Sequence, residues 1–381
     1  MDFALTDEQQ ALADKVRAFV ADKITPAAAE NDRTEGFSAS TFADLAGAGL
    51  FGLGVPEHYG GGGQGATSVG LALEELAKGE LAACYPVLNA ALIAGIIERN
   101  CAQDQRDRWL PPIAAGESIV ALCLTEPEHG TDAGGIELRA EPDGDGWRLT
   151  GTKTSIMLGD YATHGLVFTR TSDDRARGIT AFYVPLDRPE VTRERLHDLG
   201  HRSGGRATLE FDACPVGAAE MVGELGGGFV GVMRGFDYSR ALIAVMALSS
   251  AEVSLGEAME FARTRESFGA PLGKNQGVAF PLAEHATYLK AARLLAFEAL
   301  WRKDAGLDHR MESNMAKWWA PKLGTDATQQ ALLTFGHRGW SIDNPIGRRL
   351  RDSIGPQIAD GTENATKLVV ARQLLGRQYA P

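Results

Sequence analysis

The sequence predicts an α+β protein of three parts: an N-terminal all-α domain (residues 1–117), a central antiparallel β-barrel or sandwich (118–226) and a C-terminal four-helix bundle (227–381). Three observations predict this division. Apolar residues recur at helical spacing in the first part, they alternate with polar residues in the second, and long segments with few helix breakers fill the third. A chain of 381 residues is also too long for one simple core, so more than one domain is expected.

Local signals place the helices of the N-terminal part. Thr6, followed by Asp-Glu-Gln-Gln, has the pattern of a helix start, because a threonine hydroxyl accepts hydrogen bonds from the free N–H groups of the first turn. Further helices are predicted over Ala39–Ala48, from about Ala66, and over Pro86–Arg99.

Short strands are predicted in the central part. Ser118–Leu124 is a short apolar strand, and Asp143–Gly146 is a turn between strand-like flanks, which indicates a hairpin. Further strands are predicted at Gly165–Thr171, Ile179–Val184 and Ala207–Phe211. Short strands linked by turns are typical of a small antiparallel barrel or sandwich.

The last part reads as a helical bundle. Its long helical segments are Gly235–Arg265, Gln276–Ala305, Met311–Phe335 and a terminal helix over Thr362–Gly376. Helices of this length joined by short connectors predict antiparallel packing in a four-helix bundle.

The composition argues against several partners. The net charge of −12 argues against nucleic acid and anionic membranes. We expect no signal peptide, and no stretch approaches the ~18 uninterrupted apolar residues of a membrane span. The four cysteines are widely scattered, which predicts buried free thiols and a cytoplasmic protein. His197 and His201 have a metal-like spacing, but Gly200 between them argues against a helical ligand pair, so no metal is expected.

Two polar segments carry the candidate chemistry. Asp360 precedes Gly361 at a turn before an amphipathic helix, and a carboxylate held there is well placed to act as a general base. Far upstream, the loop Thr125–Asp132 is rich in backbone N–H groups and hydroxyls that can bind a flat heterocycle or a phosphate. Its proline and glycine equally favour a plain strand-ending turn, and by itself the loop favours that interpretation.

The order of motifs along nearly the whole chain resembles that of the acyl-CoA dehydrogenase family of flavoenzymes. The matching segments are Leu124–Asp132, Gly151–Ile156, Gly200–Arg206, Phe236–Arg240, Phe261–Gln276, Gly336–Gly339, Leu350–Asp352 and Asp360–Thr362, followed by Arg372. The resemblance implies the acyl-CoA dehydrogenase fold, bound FAD and α,β-dehydrogenation of an acyl-CoA thioester. It also implies a homotetramer and electron transfer flavoprotein as the electron acceptor.

The resemblance implies a role for each matching residue. Asp360 would be the base that removes the α proton. FAD would be contacted by Leu122, Leu124, Thr125, Gly130, Thr131, Ser155, Ile156, Met157 and Thr362, and the FAD of a neighbouring subunit by Arg265, Ser267, Phe268, Gln276, Gly336 and His337. The acyl-CoA would be contacted or oriented by Tyr85, Leu88, Asp237, Arg240, Gly361 and Arg372. For Arg240, an ion pair with Asp237 three positions earlier is an alternative that is compatible with substrate binding.

The chain departs from the family pattern in three places. The family commonly has Trp-Ile-Thr where this chain has Ser155, Ile156 and Met157, and a methionine cannot donate the hydrogen bond that the threonine gives to flavin N5. Leu333 replaces a glutamine on the adenine side of the cofactor. Asp360 replaces the usual glutamate and reaches about 1.5 Å less far.

The shorter base bears on the substrate, because a misplacement of ~1 Å can cost on the order of a hundredfold in rate. A subgroup that this chain resembles, the alicyclic acyl-CoA dehydrogenases, has aspartate here and acts on cyclohexane- or cyclohexene-carboxyl-CoA. We therefore expect a cyclohexanecarboxyl-CoA-like substrate. Cys84, Tyr85 and Leu88 at the expected pocket wall include no second carboxylate, which favours oxidation to the cyclohex-1-ene thioester over 1,4-elimination.

Three alternatives remain open from the sequence. One is a flavin oxidase of the same fold, similar to nitroalkane oxidase, which also uses an aspartate base. Another is a dehydrogenase of acyl groups tethered to a carrier protein. The third is a non-catalytic interaction module, which the presence of both the base and the flavin-loop residues disfavours.

Overall fold

The computed structural model describes residues 4–381. The first part of the molecule consists of helices. They are α1 (Asp7–Phe19), α2 (Thr25–Thr34), α3 (Thr41–Gly47), α4 (Ala66–Gly79), α5 (Cys84–Asn100) and α6 (Gln103–Ala114). Thr6 caps α1 as predicted, since its hydroxyl accepts from the N–H of Gln9 at 3.2 Å and the Gln9 side chain accepts from the N–H of Thr6 at 3.1 Å. Such a reciprocal cap stabilises a helix by ~1 kcal/mol. The predicted helices correspond to α1, α3, α4 and α5, whereas α2 and α6 were not predicted individually.

The central part is a sheet of eight strands. They are β1 (Val120–Cys123), β2 (Arg139–Asp143), β3 (Gly146–Ile156), β4 (His164–Arg170), β5 (Ile179–Pro185), β6 (Val191–Arg195), β7 (Ala207–Gly217) and β8 (Met221–Val222). The order is β6-β7-β3-β2-β4-β5-β8, with β1 beside β4. The predicted hairpin is confirmed by the antiparallel pairing of β2 and β3. The sheet is mixed rather than purely antiparallel, because β1 and β2 each pair with β4 in parallel.

The strand β1 separates two cores, because successive side chains of a strand point to opposite faces. Ala121 and Cys123 lie in the core of the β-domain. Leu122 and Leu124 point the other way and join the larger core that the helical domains build. The strand therefore ends at the boundary between the β-domain and the helices, where the loop of the predicted flavin residues begins.

Helices fill the C-terminal part. They are α7 (Gly228–Thr264), α8 (Gln276–Asp304), α9 (Arg310–Phe335), α10 (Pro345–Ile358) and α11 (Glu363–Leu375), and the short strands β9 (Glu266–Ser267) and β10 (Ala270–Pro271) join α7 to α8. The predicted four helices correspond to α7, α8, α9 and α11. The additional helix α10 contains Pro345 and Pro356, which argue against a helix in the sequence. Pro345 is tolerated because the N–H groups in the first turn of a helix have no hydrogen-bond partner within the helix, so the missing N–H of proline costs no helical bond.

The helix α7 runs through the centre of the molecule. All of its residues from Phe236 to Ala251 are buried, and it packs against α4, α5, α8, α9 and α10. The segments Leu81–Asn100 and Gly228–Thr264 are long and apolar enough to cross a membrane, but 89% and 72% of their most apolar windows are buried inside the protein. They are therefore core helices in this structure, as expected for helices that are apolar on every side.

Candidate active site

The predicted base lies in a tight turn between α10 and α11. Asp360 has φ of +53° and Gly361 has φ of +102°, both in the range that favours glycine. Thr362 then caps α11, and its hydroxyl accepts from the N–H of Ala365 at 3.4 Å. An aspartate tolerates the left-handed conformation better than most residues, so the turn can present a carboxylate at this point.

Side chains from α7 and α9 hold this turn at three points. Ser239 Oγ donates to Asp360 Oδ2. Arg240 Nε donates to the Asp360 carbonyl at 2.9 Å, and Lys317 Nζ donates to the Gly361 carbonyl at 2.9 Å. We call Ser239, Arg240 and Lys317 the base clamp. It fixes both the carboxylate and the backbone that carries it.

The base clamp places two buried cations around one carboxylate. Lys317 is only 1% exposed, and burial lowers its pKa to about 8 even though the charge of Asp360 opposes this shift. Burial likewise lowers the pKa of Arg240, with Asp360 and Asp237 opposing. Both cations thus lie where water screens them little, so their attraction for the Asp360 turn is strong.

Asp237 and Arg240 form the ion pair that was expected as an alternative, with Nη1 and Oδ1 3.6 Å apart. Asp237 also accepts from Arg310 Nε at 3.1 Å, and Arg240 Nη1 donates to Asn314 at 3.1 Å. The structure thus assigns Arg240 to orienting the base turn, a role that the substrate-contact prediction did not include. Arg372 lies on the last turn of α11, where its Nε donates to the Pro381 carbonyl at 2.7 Å.

Tyr85 and Leu88, the predicted substrate residues on α5, are buried one helical turn apart. The Tyr85 hydroxyl lies 3.3 Å from His201 Nδ1. Burial, followed by the charge of Asp360, raises the pKa of Tyr85. The helix α5 packs against α7, the helix that carries Ser239 and Arg240 of the base clamp.

A buried carboxylate, Glu80, lies shortly before α5 in the chain. Glu80 accepts hydrogen bonds from Ser203 Oγ and from Asn31 Nδ2, the latter at 2.8 Å. Burial raises the pKa of Glu80 to about 7, although both hydrogen bonds oppose the shift. The sequence analysis identified neither Glu80 nor Ser203 as functional, because nothing local marks them as buried.

A buried ion pair fixes the first predicted flavin loop. Lys153 Nζ contacts Glu126 Oε1 at 2.7 Å and donates to the Leu124 carbonyl at 2.9 Å, and Lys153 is fully buried. Glu126 also accepts from the N–H of Leu138 at 2.9 Å. Burial lowers the pKa of Lys153 to about 8, while Glu126 opposes this shift.

The two predicted flavin loops lie side by side. The N–H of Thr154 donates to the Thr125 carbonyl at 2.9 Å, which joins the end of β3 to the loop after β1. Ser155 is exposed with φ of +60°, so this short segment leaves the strand geometry. Ile156 is buried in the β-domain core, so only its backbone can face a ligand. Met157 points toward Gly204, where an added Cβ would lie 2.7 Å from its sulfur.

The residues of these loops fit FAD. Thr125, Thr131 and Ser155 supply hydroxyls at the surface of the loops, and the space beside Gly130 is open, since an added Cβ would meet nothing within 4 Å. Hydroxyls and free backbone N–H groups are suitable partners for the polar edge of a flavin and for its phosphates. Met157 lacks a donor, so a hydrogen bond to the flavin at this point must come from the backbone.

The remaining predicted FAD residues lie at the far end of the bundle. Arg265, Ser267, Phe268 and Gln276 surround the β9–β10 hairpin, and Gly336 and His337 follow α9. Phe261 and Phe335 stack with ring centroids 4.5 Å apart, which brings these two groups together. Arg265 is 26 positions beyond Ser239 on nearly continuous helix, a separation of about 39 Å at 1.5 Å per residue. Arg265 and the residues around it therefore lie far from the Asp360 turn, and their contact with the FAD of a neighbouring subunit stays a prediction.

The two histidines with metal-like spacing have different surroundings. His197 Nδ1 lies 2.6 Å from Glu35 Oε2 at the surface, whereas His201 is buried against Tyr85. Within residues 4–381, no group of three or more histidine, cysteine, aspartate or glutamate side chains is arranged to hold a metal ion.

The fold agrees with comparisons to known proteins. Profiles of the N-terminal, middle and C-terminal domains of acyl-CoA dehydrogenases match residues 6–117, 121–214 and 226–375. The chain belongs to the acyl-CoA dehydrogenase family, which are oxidoreductases that use FAD. The predicted family, fold and enzyme class are thereby confirmed.

Particular relatives have names that refer to short acyl groups. The mitochondrial short-chain specific acyl-CoA dehydrogenase of Homo sapiens is 35% identical over 380 residues, which are 98% of this chain and 92% of that protein. Butyryl-CoA dehydrogenase from Megasphaera elsdenii superimposes with a TM-score of 0.96 at 32% identity, covering 98% of this chain and 100% of the other. A solved chain described as the electron transferring flavoprotein of Acidaminococcus fermentans also superimposes with a TM-score of 0.96 at 32% identity, covering 98% of this chain and 100% of the other.

Proposed function

We propose that this enzyme catalyses α,β-dehydrogenation of an acyl-CoA thioester, with Asp360 as the base that removes the α proton. The observation that carries this proposal is the base clamp. It holds a carboxylate with a defined orientation against α7, the helix on which α5 with Tyr85 and Leu88 also packs. A base held in a fixed orientation is suited to general base catalysis.

Different residues of the chain have different roles in the proposed reaction. Asp360 removes the α proton, and Ser239 keeps its second oxygen engaged so that the other faces the substrate. The backbone N–H of Asp360 polarises the thioester carbonyl, as a donor aimed at developing negative charge does in other enzymes. Leu122, Leu124, Thr125, Gly130, Thr131, Ser155 and Met157 hold the FAD, which when bound supplies the acceptor for the hydride from Cβ.

We further propose that the acyl group is compact and resembles cyclohexanecarboxyl-CoA. The support is the length of the base, because an aspartate reaches about 1.5 Å less than a glutamate and suits an α carbon that a ring carries toward it. The names of the relatives also point to small acyl groups. Cys84, Tyr85 and Leu88 provide no second carboxylate, so the product would be the cyclohex-1-ene thioester.

The experiment is anaerobic reduction of the bound flavin by a panel of acyl-CoAs. We expect cyclohexanecarboxyl-CoA to bleach the flavin faster than butyryl- or octanoyl-CoA. Faster bleaching by a linear thioester would refute the cyclic substrate, and the cyclic diene as main product from the monoene would refute simple 1,2-dehydrogenation. Asp360→Ala should abolish bleaching while FAD stays bound, and retained bleaching would identify another base.

The acceptor and assembly are part of the same proposal. Electron transfer flavoprotein is the proposed acceptor, and oxygen consumption without an added acceptor would instead indicate an oxidase. We propose a cytoplasmic homotetramer, supported by exposed large apolar side chains near the predicted cross-subunit FAD contacts, among them Phe268, Leu333, Trp340 and Ile342. Sedimentation of the holoenzyme as a monomer would contradict this assembly.

A further inference from the structure

A pair of polar side chains lies between α5 and α10, the helix that leads into the Asp360 turn. The Tyr85 hydroxyl and His201 Nδ1 are 3.3 Å apart, and the rings meet edge to face with centroids separated by 5.2 Å. Tyr85 is 5% exposed and His201 is 6% exposed. Buried polar groups cost free energy unless they are hydrogen-bonded, and this pair satisfies only part of its hydrogen-bonding capacity.

The local structure is built to hold the imidazole in this place. His201 has φ of +51°, and its N–H donates to Asp352 Oδ1 at 2.6 Å. The ring fits against α10 only because position 355 is glycine, since a Cβ there would lie 2.7 Å from His201 Cε1. The loop that carries His201 and the helix α10 thus place one ring beside Tyr85.

The Tyr85–His201 pair has hydrogen-bonding groups that the bond between the two side chains does not use. A neutral imidazole and a phenol carry two polar hydrogens together, and the bond between them uses one. If Nδ1 accepts from the phenol, Nε2 carries the remaining hydrogen; if Nδ1 donates, the phenol does. His201 Nε2 is buried and has no hydrogen-bond partner among residues 4–381. In either tautomer one donor and at least one acceptor remain free.

The surroundings of the pair favour binding over proton transfer. Burial lowers the pKa of His201 and raises that of Tyr85, so both are neutral near pH 7. Neither group is therefore charged or poised to exchange a proton at that pH. Neutral donors and acceptors of this kind fix the orientation of a polar group in a ligand.

We infer that Tyr85 and His201 form a polar floor of the acyl pocket, and that the acyl group oxidised by this enzyme carries a hydroxyl group remote from the thioester. A hydroxyl both donates and accepts, so it complements the pair in either tautomer. This inference rests on the proposed function, because it takes the space beside Asp360 as the acyl site.

Binding measurements on the Asp360→Ala holoenzyme test the inference without turnover. Calorimetric titration would compare cyclohexanecarboxyl-CoA with its 3- and 4-hydroxy derivatives, and butyryl-CoA with 4-hydroxybutyryl-CoA. We expect at least one hydroxylated thioester to bind about tenfold more tightly than its parent, the gain from one well-made buried hydrogen bond. Adding Tyr85→Phe should bring that ratio within about twofold of unity.

The matched control is Tyr183→Phe in the same background. Tyr183 is also a buried tyrosine, but it packs against Trp109 with centroids 4.8 Å apart. Its substitution should leave the ratio unchanged. Equal affinity for every parent and hydroxylated pair, or a preference that survives Tyr85→Phe, would overturn the inference. If plain acyl-CoAs still bleach the wild-type flavin, that outcome leaves the proposed function intact; absence of bleaching by every thioester would refute both.

Discussion

Lys317 offers a direct test of the base clamp. Replacing it with methionine keeps an unbranched apolar stem as long as that of lysine up to Cε and removes the donor to the Gly361 carbonyl. A hydrogen bond from a charged group contributes about 1.5–3 kcal/mol, and a displacement of the base by ~1 Å costs on the order of a hundredfold in rate. We therefore expect Lys317→Met to slow flavin reduction by roughly ten- to a hundredfold without loss of FAD.

The pH dependence sharpens this prediction. Burial lowers the pKa of Lys317 from 10.5 to about 8, so the folded protein loses this charge as the pH rises through about 8, before the unfolded chain would. The charge-assisted bond to Gly361 weakens above that pH. The wild-type rate should therefore decline on the alkaline side, and Lys317→Met should lack this decline.

The assay is stopped-flow anaerobic flavin reduction from about pH 6 to pH 10. The matched control is Lys322→Met on the same helix, because Lys322 is half exposed and pairs with Asp326 at 3.0 Å on the surface. It should reduce the flavin at the wild-type rate. A rate for Lys317→Met within twofold of wild type, together with an unchanged alkaline decline, would refute the role given to Lys317.

Three further predictions concern buried polar groups. Between pH 4.5 and about 7, Glu80 in the folded protein keeps a proton that it has lost in the unfolded chain. The free energy of unfolding therefore falls by about 3 kcal/mol as the pH rises through this window. Glu80→Gln should remove this loss, and thermal melts whose midpoints keep the same offset from wild type from about pH 5 to pH 8 would contradict it. Lys153→Met leaves Glu126 without its cation and should destabilise the protein by roughly 3 kcal/mol in urea unfolding, with weaker FAD retention; a change below about 1 kcal/mol would count against the pair. Ser239→Ala frees one oxygen of Asp360 and should lower kcat roughly tenfold with KM little changed, whereas a loss confined to KM would place Ser239 in binding instead.

Local features of the fold could be predicted because they depend on neighbours in sequence. The cap at Thr6 and the hairpin at Asp143–Gly146 are determined by a few adjacent residues, and both are confirmed. The parallel pairing of β1 with β4 joins segments about forty positions apart, so no local pattern encodes it. The helix α10 was missed because its prolines oppose a helix locally, while packing against α7 and α9 favours one.

The sequence predicts the reactive residue of the candidate site but not the residues that hold it in place. Asp360 stands out by its turn, but Ser239 contacts it from 121 positions away and Lys317 reaches Gly361 across 44. Tyr85 was predicted as a site residue from the resemblance, whereas its partner His201, 116 positions later, was noted only for a metal-like spacing and as part of a matching loop. Such partners become visible only when packing brings helices and loops together.

The base clamp and the Tyr85–His201 pair belong to different parts of the chain. The clamp is built on α7 and α9, whereas the pair is built on α5 and a loop of the β-domain. Substitutions at positions 85 and 201 can thus alter the choice of acyl group while the proton-removing machinery keeps its geometry. This separation lets a duplicated gene diverge toward new thioesters in a few steps, and it makes α5 the first place to redesign selectivity.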